Sequence, residues 1–214
     1  MSWKTETWLS FDLETTGPEP ETAHPVEIGL VWMQECSVVK VRRWLVKPPE
    51  PIPVEATEIH GITNADVADQ PTIEEYAEDI LKAVSESLVM VAYNGFRYDF
   101  AILSRLIPGF REACKGPVLI DPLALIRTDG VGKWWKGPGR HKLTAVAERI
   151  EVPGLDESKA HGAVYDAEVS AKVLWYFRDH LPDDGAEAQR YLVRESRRQE
   201  TEFKAWLARQ PARD

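Results

Sequence analysis

The order of hydrophobic and polar positions along the chain predicts strands that alternate with helices. Apolar segments bounded by polar turns predict strands at residues 8–13, 26–33 and 38–46, and the last two form a hairpin. A continuous apolar run at residues 88–93 predicts a central strand that is buried on both faces. A further short strand is predicted at residues 118–120.

Helical periodicity and helix-end signals predict helices in the segments that follow and separate these strands. Thr72, with Glu75 three residues later, has the spacing of a capping box, so a helix is predicted to begin there and to end near residue 85. Further helices are predicted at residues 97–106, 143–150 and 163–177. This order predicts an α/β layer fold whose mixed sheet has one antiparallel strand.

The segment that follows Pro182 predicts a helical tail. We therefore expect a main domain at residues 1–181 and a tail at residues 182–214. Four apolar residues of the tail fall roughly on one helical face: Leu192, Phe203, Trp206 and Leu207. We expect this face to dock on the body of the protein or on a partner, such as a second copy of the chain.

Composition argues for some kinds of protein and against others, but it does not identify a reaction. The 214 residues are 43% hydrophobic and 29% charged, which is typical of a globular chain. No apolar run is long enough to cross a bilayer, and the first ten residues lack the pattern of a signal peptide. Two cysteines are too few for a disulfide framework. We therefore expect a cytoplasmic protein with no membrane segment.

The net charge of −9 argues against one class of nucleic-acid-binding protein. A protein that holds nucleic acid mainly by neutralising its phosphates is usually basic. The same charge is compatible with an enzyme whose acidic residues hold cations, because the cations then supply the positive field. Charge alone does not choose between these classes.

The first candidate motif is FDLETTG, at residues 11–17. Side chains alternate along a strand, so the apolar residues point to one face while Asp12 and Glu14 point to the other. The two carboxylates lie at the carboxyl end of the strand, where open α/β sheets bind ligands, and they repel each other unless a cation lies between them. A solvated strand end is the ordinary alternative for a bare D-x-E sequence, but the Thr-Thr-Gly turn that follows favours a site.

Another candidate motif is HGAVYD, which opens the predicted helix at residues 163–177. Asp166 shares a helical stripe with Val173 and Phe177, so we expect it to point inward with the apolar face. An inward carboxylate needs a partner, and a metal ion is a natural one. His161 precedes the helix and can lie on a loop above the same site. A lone histidine is more often structural, but here it precedes an inward acid.

A further candidate motif is YNGFRYD, at residues 93–99. Asn94-Gly95 ends the buried strand, and Asp99 falls in the first turn of the next helix. Taken alone, an acid at this position is explained by its favourable interaction with the positive end of the helix.

Together the three motifs resemble the exonuclease motifs of the DnaQ-like (DEDD) superfamily. Asp12 and Glu14 match the first motif, Asp99 the second, and His161 and Asp166 the third. Their order and separation agree with the superfamily, and the resemblance covers about residues 5–180. It implies a ribonuclease H-like fold, a mixed five-stranded sheet flanked by helices with the helical tail added, and two divalent cations, Mg²⁺ or Mn²⁺. Because Gly162 stands where the tyrosine subclass has Tyr, the resemblance is to the histidine (DEDDh) subclass.

The resemblance also implies roles for individual residues. Asp12, Glu14 and Asp166 would hold one cation, Asp12 would bridge to a second, and Asp99 would complete the acidic site. His161 would be the general base, and the reaction would release nucleoside 5′-monophosphates from a 3′ end. The residues expected to contact the substrate in the FDLETTG, YNGFRYD and EIHGIT segments are Leu13, Thr15, His60, Ile62 and Asn94.

The substrate expected from these features is single-stranded DNA. The five-residue separation of Asn94 from Asp99 resembles the three-prime repair exonucleases and the bacterial single-strand DNA exonuclease. The one basic and aromatic cluster, which includes Trp134, Trp135 and Lys136, could stack bases and bind phosphates of the strand. The alternative is that one tryptophan packs over the core while the lysines are merely solvated.

Three alternatives to a stand-alone DNA exonuclease stay open at this point. The same chemistry could act on RNA, because the sequence shows no contact to a 2′-hydroxyl group. The chain could be a non-catalytic nucleic-acid-binding or docking domain, although all four acids and the histidine are present. It could also be the proofreading subunit of a DNA polymerase, with the tail as its docking element.

Overall fold

A mixed five-stranded sheet with helices packed against it forms the framework of the chain. The computed structural model describes residues 2–135, 137–156 and 160–209. Its strands are β1 (Trp8–Thr15), β2 (Pro25–Gln34), β3 (Ser37–Leu45), β4 (Val89–Val91) and β5 (Val118–Ile120). The strand order is β3-β2-β1-β4-β5. β2 runs antiparallel to both of its neighbours, whereas β1, β4 and β5 are parallel, so the predicted single antiparallel strand is confirmed.

The helices connect the strands and cover both faces of the sheet. They are α1 (Val54–His60), α2 (Asn64–Val67), α3 (Ile73–Ser85), α4 (Asp99–Leu106), α5 (Phe110–Ala113), α6 (Pro122–Ile126), α7 (Leu143–Arg149), α8 (Ala163–Phe177) and α9 (Gly185–Leu207). The predicted capping box at Thr72 and Glu75 is confirmed at the start of α3. The helices α1, α2, α5 and α6 were not predicted. They have four to seven residues, which is too short for helical periodicity to appear.

The first strand carries a different environment on each face, as its alternation predicts. Leu9, Phe11 and Leu13 are buried in a hydrophobic cluster with residues of α3 and α4. On the opposite face the Ser10 hydroxyl donates a 2.7 Å hydrogen bond to the carbonyl of Ala167 in α8. Asp12 and Glu14 continue along that second face, so β1 presents its carboxylates toward α8.

A close approach between α8 and β2 is possible because β2 has glycine at position 29. A Cβ atom built on Gly29 would lie 2.3 Å from the carbonyl carbon of Ala163, the first residue of α8. Real Cβ atoms do not approach backbone so closely, so the lack of a side chain sets the distance between the start of α8 and the sheet.

The helical tail divides into a docked part and an exposed part. Leu192 is fully buried against the main body, and the Gln199 side-chain amide donates a 2.9 Å hydrogen bond to the Ala124 carbonyl in α6. Phe203, Trp206 and Leu207 are about half exposed, so the four apolar residues predicted to form one docking face do not share one environment. The division at residue 182 stays a prediction. Among the described residues, no helix is both long enough and apolar enough to cross a membrane.

We predict that Gly29→Ala destabilises the protein by about 1–3 kcal/mol, since the added methyl group must displace the start of α8 or the strand. Urea unfolding of the two proteins measures this difference. Gly130→Ala is the matched control, because no atom lies within 4 Å of a Cβ at Gly130. A Gly29→Ala protein with the stability of the wild type would contradict the tight packing.

Candidate active site

Three carboxylates converge where the carboxyl end of β1 meets the first turn of α8. One oxygen atom from each of Asp12, Glu14 and Asp166 lies within 4.8 Å of the other two. This spacing suits a shared cation, because carboxylate oxygens are the ligands that divalent metal ions such as Mg²⁺ prefer. The structure therefore brings together the acids of the first and third motifs, as predicted.

Asp99 lies beside this group at the first position of α4 and is only 2% exposed. Its Oδ1 atom and the Oδ1 atom of Asp166 are buried and have no hydrogen-bond partner in the described part of the chain. A buried carboxylate oxygen with no donor needs either a proton or a cation. The residues present therefore fit the divalent cations implied by the sequence resemblance.

The pKa values of these acids are raised, because each carboxylate is buried near others. Burial, followed by repulsion from Asp99, raises the pKa of Asp12 well above its usual range. Burial, followed by repulsion from Asp166, raises the pKa of Glu14 to about 8. Burial raises the pKa of Asp99 to about 7. Near neutral pH and without a cation, these acids therefore retain protons that ordinary surface carboxylates would lose.

His161 lies at the mouth of the acidic group. Its backbone has a φ of 64°, a left-handed conformation, and its backbone N–H donates a 3.3 Å hydrogen bond to Asp166 Oδ2. The residue is exposed and lines the clefts on both sides of the acids. The backbone is thus tied to a carboxylate while the imidazole can reach solvent.

Glu27 supports the site and was not singled out from the sequence. Its buried carboxylate accepts a 2.8 Å hydrogen bond from the backbone N–H of Ala163, the first residue of α8, and forms an ion pair with Arg43. Its charge also contributes to the raised pKa of Asp166. A glutamate within a strand carries no sequence signal for this role, because the partner on α8 is more than 100 residues away.

Asp121 organises the loop that leads to Asp99. Its carboxylate accepts hydrogen bonds from the backbone N–H groups of Asn94 (2.9 Å), Phe96 (3.3 Å) and Leu123 (2.9 Å). Burial raises the pKa of Asp121 to about 6, and these hydrogen bonds oppose the rise. Asp121 thereby joins the strand end of the second motif to the start of α6.

The residues expected to contact the substrate near β1 occupy different positions. Thr15 and His60 line a pocket beside Glu14, and the Ile62 backbone N–H donates a 3.0 Å hydrogen bond to His60 Nδ1. Ile62 itself is buried. The side chain of Leu13 is buried in the core on the other face of β1, so only its backbone faces the acids.

The remaining expected contacts lie on the opposite side of Asp166. Asn94 lines a cleft there, with a left-handed φ of 63°. Trp134 is 62% exposed, whereas Trp135 is half-buried and stacks on His141 with ring centroids 6.1 Å apart. Trp135 thus packs against the body, as the alternative interpretation of the basic cluster expects of one tryptophan. Lys136 lies outside the described residues.

The sequence is similar to those of an exonuclease family and of DNA polymerase III chains. The sequence model of the exonuclease family RNase_T matches residues 9–174. The PolC-type DNA polymerase III of Mycoplasma pneumoniae is 29% identical over 180 residues, which make up 83% of this chain but only 12% of that polymerase. The DNA polymerase III subunit epsilon of Rickettsia prowazekii is 30% identical over 172 residues, which make up 77% of this chain and 71% of the subunit.

Solved structures agree with the sequence comparison. The structure of exonuclease X in complex with 5′ overhanging duplex DNA superimposes with a TM-score of 0.63 at 26% identity, covering 86% of this chain and 99% of that one. A structure of exonuclease I superimposes with a TM-score of 0.63 at 20% identity, covering 79% of this chain and 40% of that one. At that identity the second likeness shows the fold alone.

We predict that Glu14→Gln stabilises the protein in EDTA at about pH 8 but has little effect at about pH 5. The pKa of Glu14 rises from 4.5 to about 8 on folding, so the folded state loses stability as pH increases across that window. Thermal unfolding at both pH values measures the effect, with Glu148→Gln on the exposed face of α7 as the control.

Mn²⁺ should raise the melting temperature of the wild type more at the higher pH, because it binds the ionised carboxylates. The rise should be smaller in the Glu14→Gln protein. Identical melting curves for wild type and Glu14→Gln at both pH values would show that ionised Glu14 carries no penalty in the folded state.

Proposed function

Because the chain belongs to the RNase_T exonuclease family and has the ribonuclease H-like fold of the DnaQ-like superfamily, we propose that it removes nucleotides one at a time from the 3′ end of single-stranded DNA. One observation carries this proposal: oxygen atoms of Asp12, Glu14 and Asp166 lie within 4.8 Å of one another beside the buried Asp99. The products would be nucleoside 5′-monophosphates. The family itself makes the chain a nuclease; the direction and the preferred strand are the proposed part.

Asp12, Glu14 and Asp166 would hold one divalent cation, Mg²⁺ or Mn²⁺, and Asp12 would share a second with Asp99. Such ions, when bound, stabilise the negative charge that develops on the phosphate during hydrolysis. The unpartnered oxygens of Asp99 and Asp166 support this assignment, because binding a cation would satisfy both. Glu27 would keep Asp166 in place by fixing the first backbone N–H of α8.

His161 would act as the general base. Its backbone is hydrogen-bonded to Asp166, and its exposed side chain lies beside the acids, where it can take a proton from the attacking water. The water oxygen would bond to phosphorus as the bond between phosphorus and the 3′ oxygen of the preceding nucleotide breaks. The proton would remain on the imidazole until it passes to solvent or to the leaving oxygen.

The pocket between β1 and α1 would receive the terminal nucleotide. It has a volume of about 500 Å³ and lies directly beside Glu14. Ile59 and Tyr98 are among its apolar lining residues, and the Tyr98 hydroxyl is fixed by hydrogen bonds with the Thr15 hydroxyl and the Gly17 carbonyl. An apolar wall next to carboxylates suits a base and sugar whose phosphate reaches the cations.

The similar proteins favour DNA as the substrate, and they also suggest a second candidate function. The similar structure of exonuclease X contains duplex DNA with a 5′ overhang, and the sequence relatives are DNA polymerase III chains. The chain spans only 12% of the length of the PolC-type relative but 71% of the length of the epsilon subunit. The second candidate is therefore a proofreading subunit, which would co-purify with a polymerase.

We predict that the wild type shortens 5′-labelled single-stranded DNA from its 3′ end in Mg²⁺ or Mn²⁺, and that EDTA stops the reaction. Asp12→Ala should abolish it, and His161→Ala should lower kcat by about 10²–10⁴-fold. His180→Ala is the control, since His180 is an exposed histidine outside the site. A matched RNA strand, resolved on the same gel, tests the sugar preference. Wild-type protein that binds but cuts neither strand would overturn the proposal.

We predict that Ile59→Ala raises KM about tenfold through the lost contact with the terminal nucleotide. Its side chain is 60% exposed, so the change should leave the melting temperature unaltered. Val39→Ala on β3 is the matched control, because Val39 is 57% exposed and lies outside the pocket. Steady-state kinetics on single-stranded DNA measures KM for both variants. An unchanged KM in Ile59→Ala would show that the pocket does not contact the substrate.

A further inference from the structure

Two clefts meet beside the acids, and neither shares a lining residue with the terminal-nucleotide pocket. The first contains His161 and Asp166 and extends along residues 137–144. The second has Arg127, Lys133 and His141 on one side and the outer half of α9 on the other. Arg127 and His141 line both clefts, so together they form a path from the catalytic acids to the tail helix.

Arg127 stands at the junction of the two clefts, directly after α6. It is half-buried, and its guanidinium group forms no hydrogen bond or ion pair with any residue that the structure describes. Burial lowers its pKa, because the charged group loses contact with water. An unpaired, partly desolvated guanidinium in a cleft is a strong site for an anion, and its planar donors suit a phosphate.

Other positive groups follow the same path. Arg140 and Lys142 line the first cleft, and Arg97 and Lys133 line the second. Arg97 is held in place by a 2.7 Å hydrogen bond to the Ser196 carbonyl.

Apart from Asp166, which belongs to the proposed cation site, the acidic residues named here beside the path are paired. Lys133 forms an ion pair with Asp129 at 2.7 Å, and Arg97 lies 3.8 Å from Glu200. The acid that lines the second cleft is Glu202, and it is paired with Arg198 at 2.8 Å. In a chain with a net charge of −9, this path is locally positive.

An exposed aromatic pair stands at the far end of the path. Phe203 lines the second cleft, and its ring stacks on that of Trp206 at 5.8 Å with an interplanar angle of 19°. The two side chains are 54% and 50% exposed. Aromatic faces beside cationic groups are the arrangement that holds single-stranded nucleic acid, because bases stack while phosphates pair.

We propose that the joined clefts bind the single-stranded DNA that precedes the scissile bond, with Arg127 on a backbone phosphate and the Phe203–Trp206 pair stacking against a base. The tail helix α9 is then part of the nucleic-acid site. This inference rests on the proposed exonuclease function, because that function places the 3′ end at the acids. Charge complementarity selects DNA over an apolar protein surface as the occupant of the path.

The test compares a dinucleotide with a strand of about twelve nucleotides, since only the longer one reaches α9. Arg127→Gln and the double variant Phe203→Ala/Trp206→Ala should each raise KM for the longer strand about tenfold, and by a smaller factor for the dinucleotide. Arg127→Lys should recover part of the loss, because it keeps the charge but not the planar donors. Arg111→Gln, an exposed arginine on α5, is the charge-matched control.

Binding of the labelled strand in EDTA, followed by fluorescence anisotropy, tests the clefts without catalysis. Arg127→Gln should reduce the slope of log affinity against log salt by about one. Wild-type protein that binds in this way but cuts nothing would contradict the exonuclease proposal alone. Normal hydrolysis, with KM and salt slope unchanged in both the Arg127 and the aromatic variants, would overturn the inference and leave α9 as a protein-docking element.

Discussion

Electrostatic repulsion among Asp12, Glu14, Asp99 and Asp166 is the constraint around which the rest of the structure is arranged. The four carboxylates meet at the junction of β1, α4 and α8, where burial strengthens their mutual repulsion. Such an arrangement lowers the stability of the folded state unless protons or cations are bound. It therefore depends on packing elsewhere that holds the three elements together, and it would become favourable with divalent cations bound.

The surrounding structure holds the acids in place through contacts with the backbone of their elements. Gly29 lets α8 approach β2, Glu27 accepts the first N–H of α8, and Asp121 fixes the loop before α4. Glu27 has a double effect, because its charge adds to the repulsion on Asp12 while its hydrogen bond positions Asp166. Its ion pair with Arg43 offsets part of that added charge.

The parts of the fold that could be predicted are those with local signals. Alternation along β1 fixed the faces of its side chains, and the Thr72 capping box marked the start of α3, since both depend on neighbours in sequence. The short helices and the roles of Glu27 and Arg127 could not be found in this way. The helices are too short to show a period, and Glu27 depends on its contact with Ala163, which the chain brings near only after folding. The role proposed for Arg127 depends on clefts that residues distant in sequence form together, and a charged residue in a strand or after a short helix usually faces solvent.

The chain and its proposed substrate are both negatively charged. They are compatible because the acidic and basic groups near the site lie on different parts of the surface. Carboxylates at the site repel a phosphate at short range, and screening confines this repulsion to about 8–10 Å at physiological salt. Cations at Asp12 and Asp166 would reverse it at the scissile bond only. Arg127 and the other cationic groups of the path would act on phosphates farther along the strand. A negative net charge would limit non-specific binding of duplex or folded nucleic acid, while the proposed positive path would still admit a strand that ends at the acids.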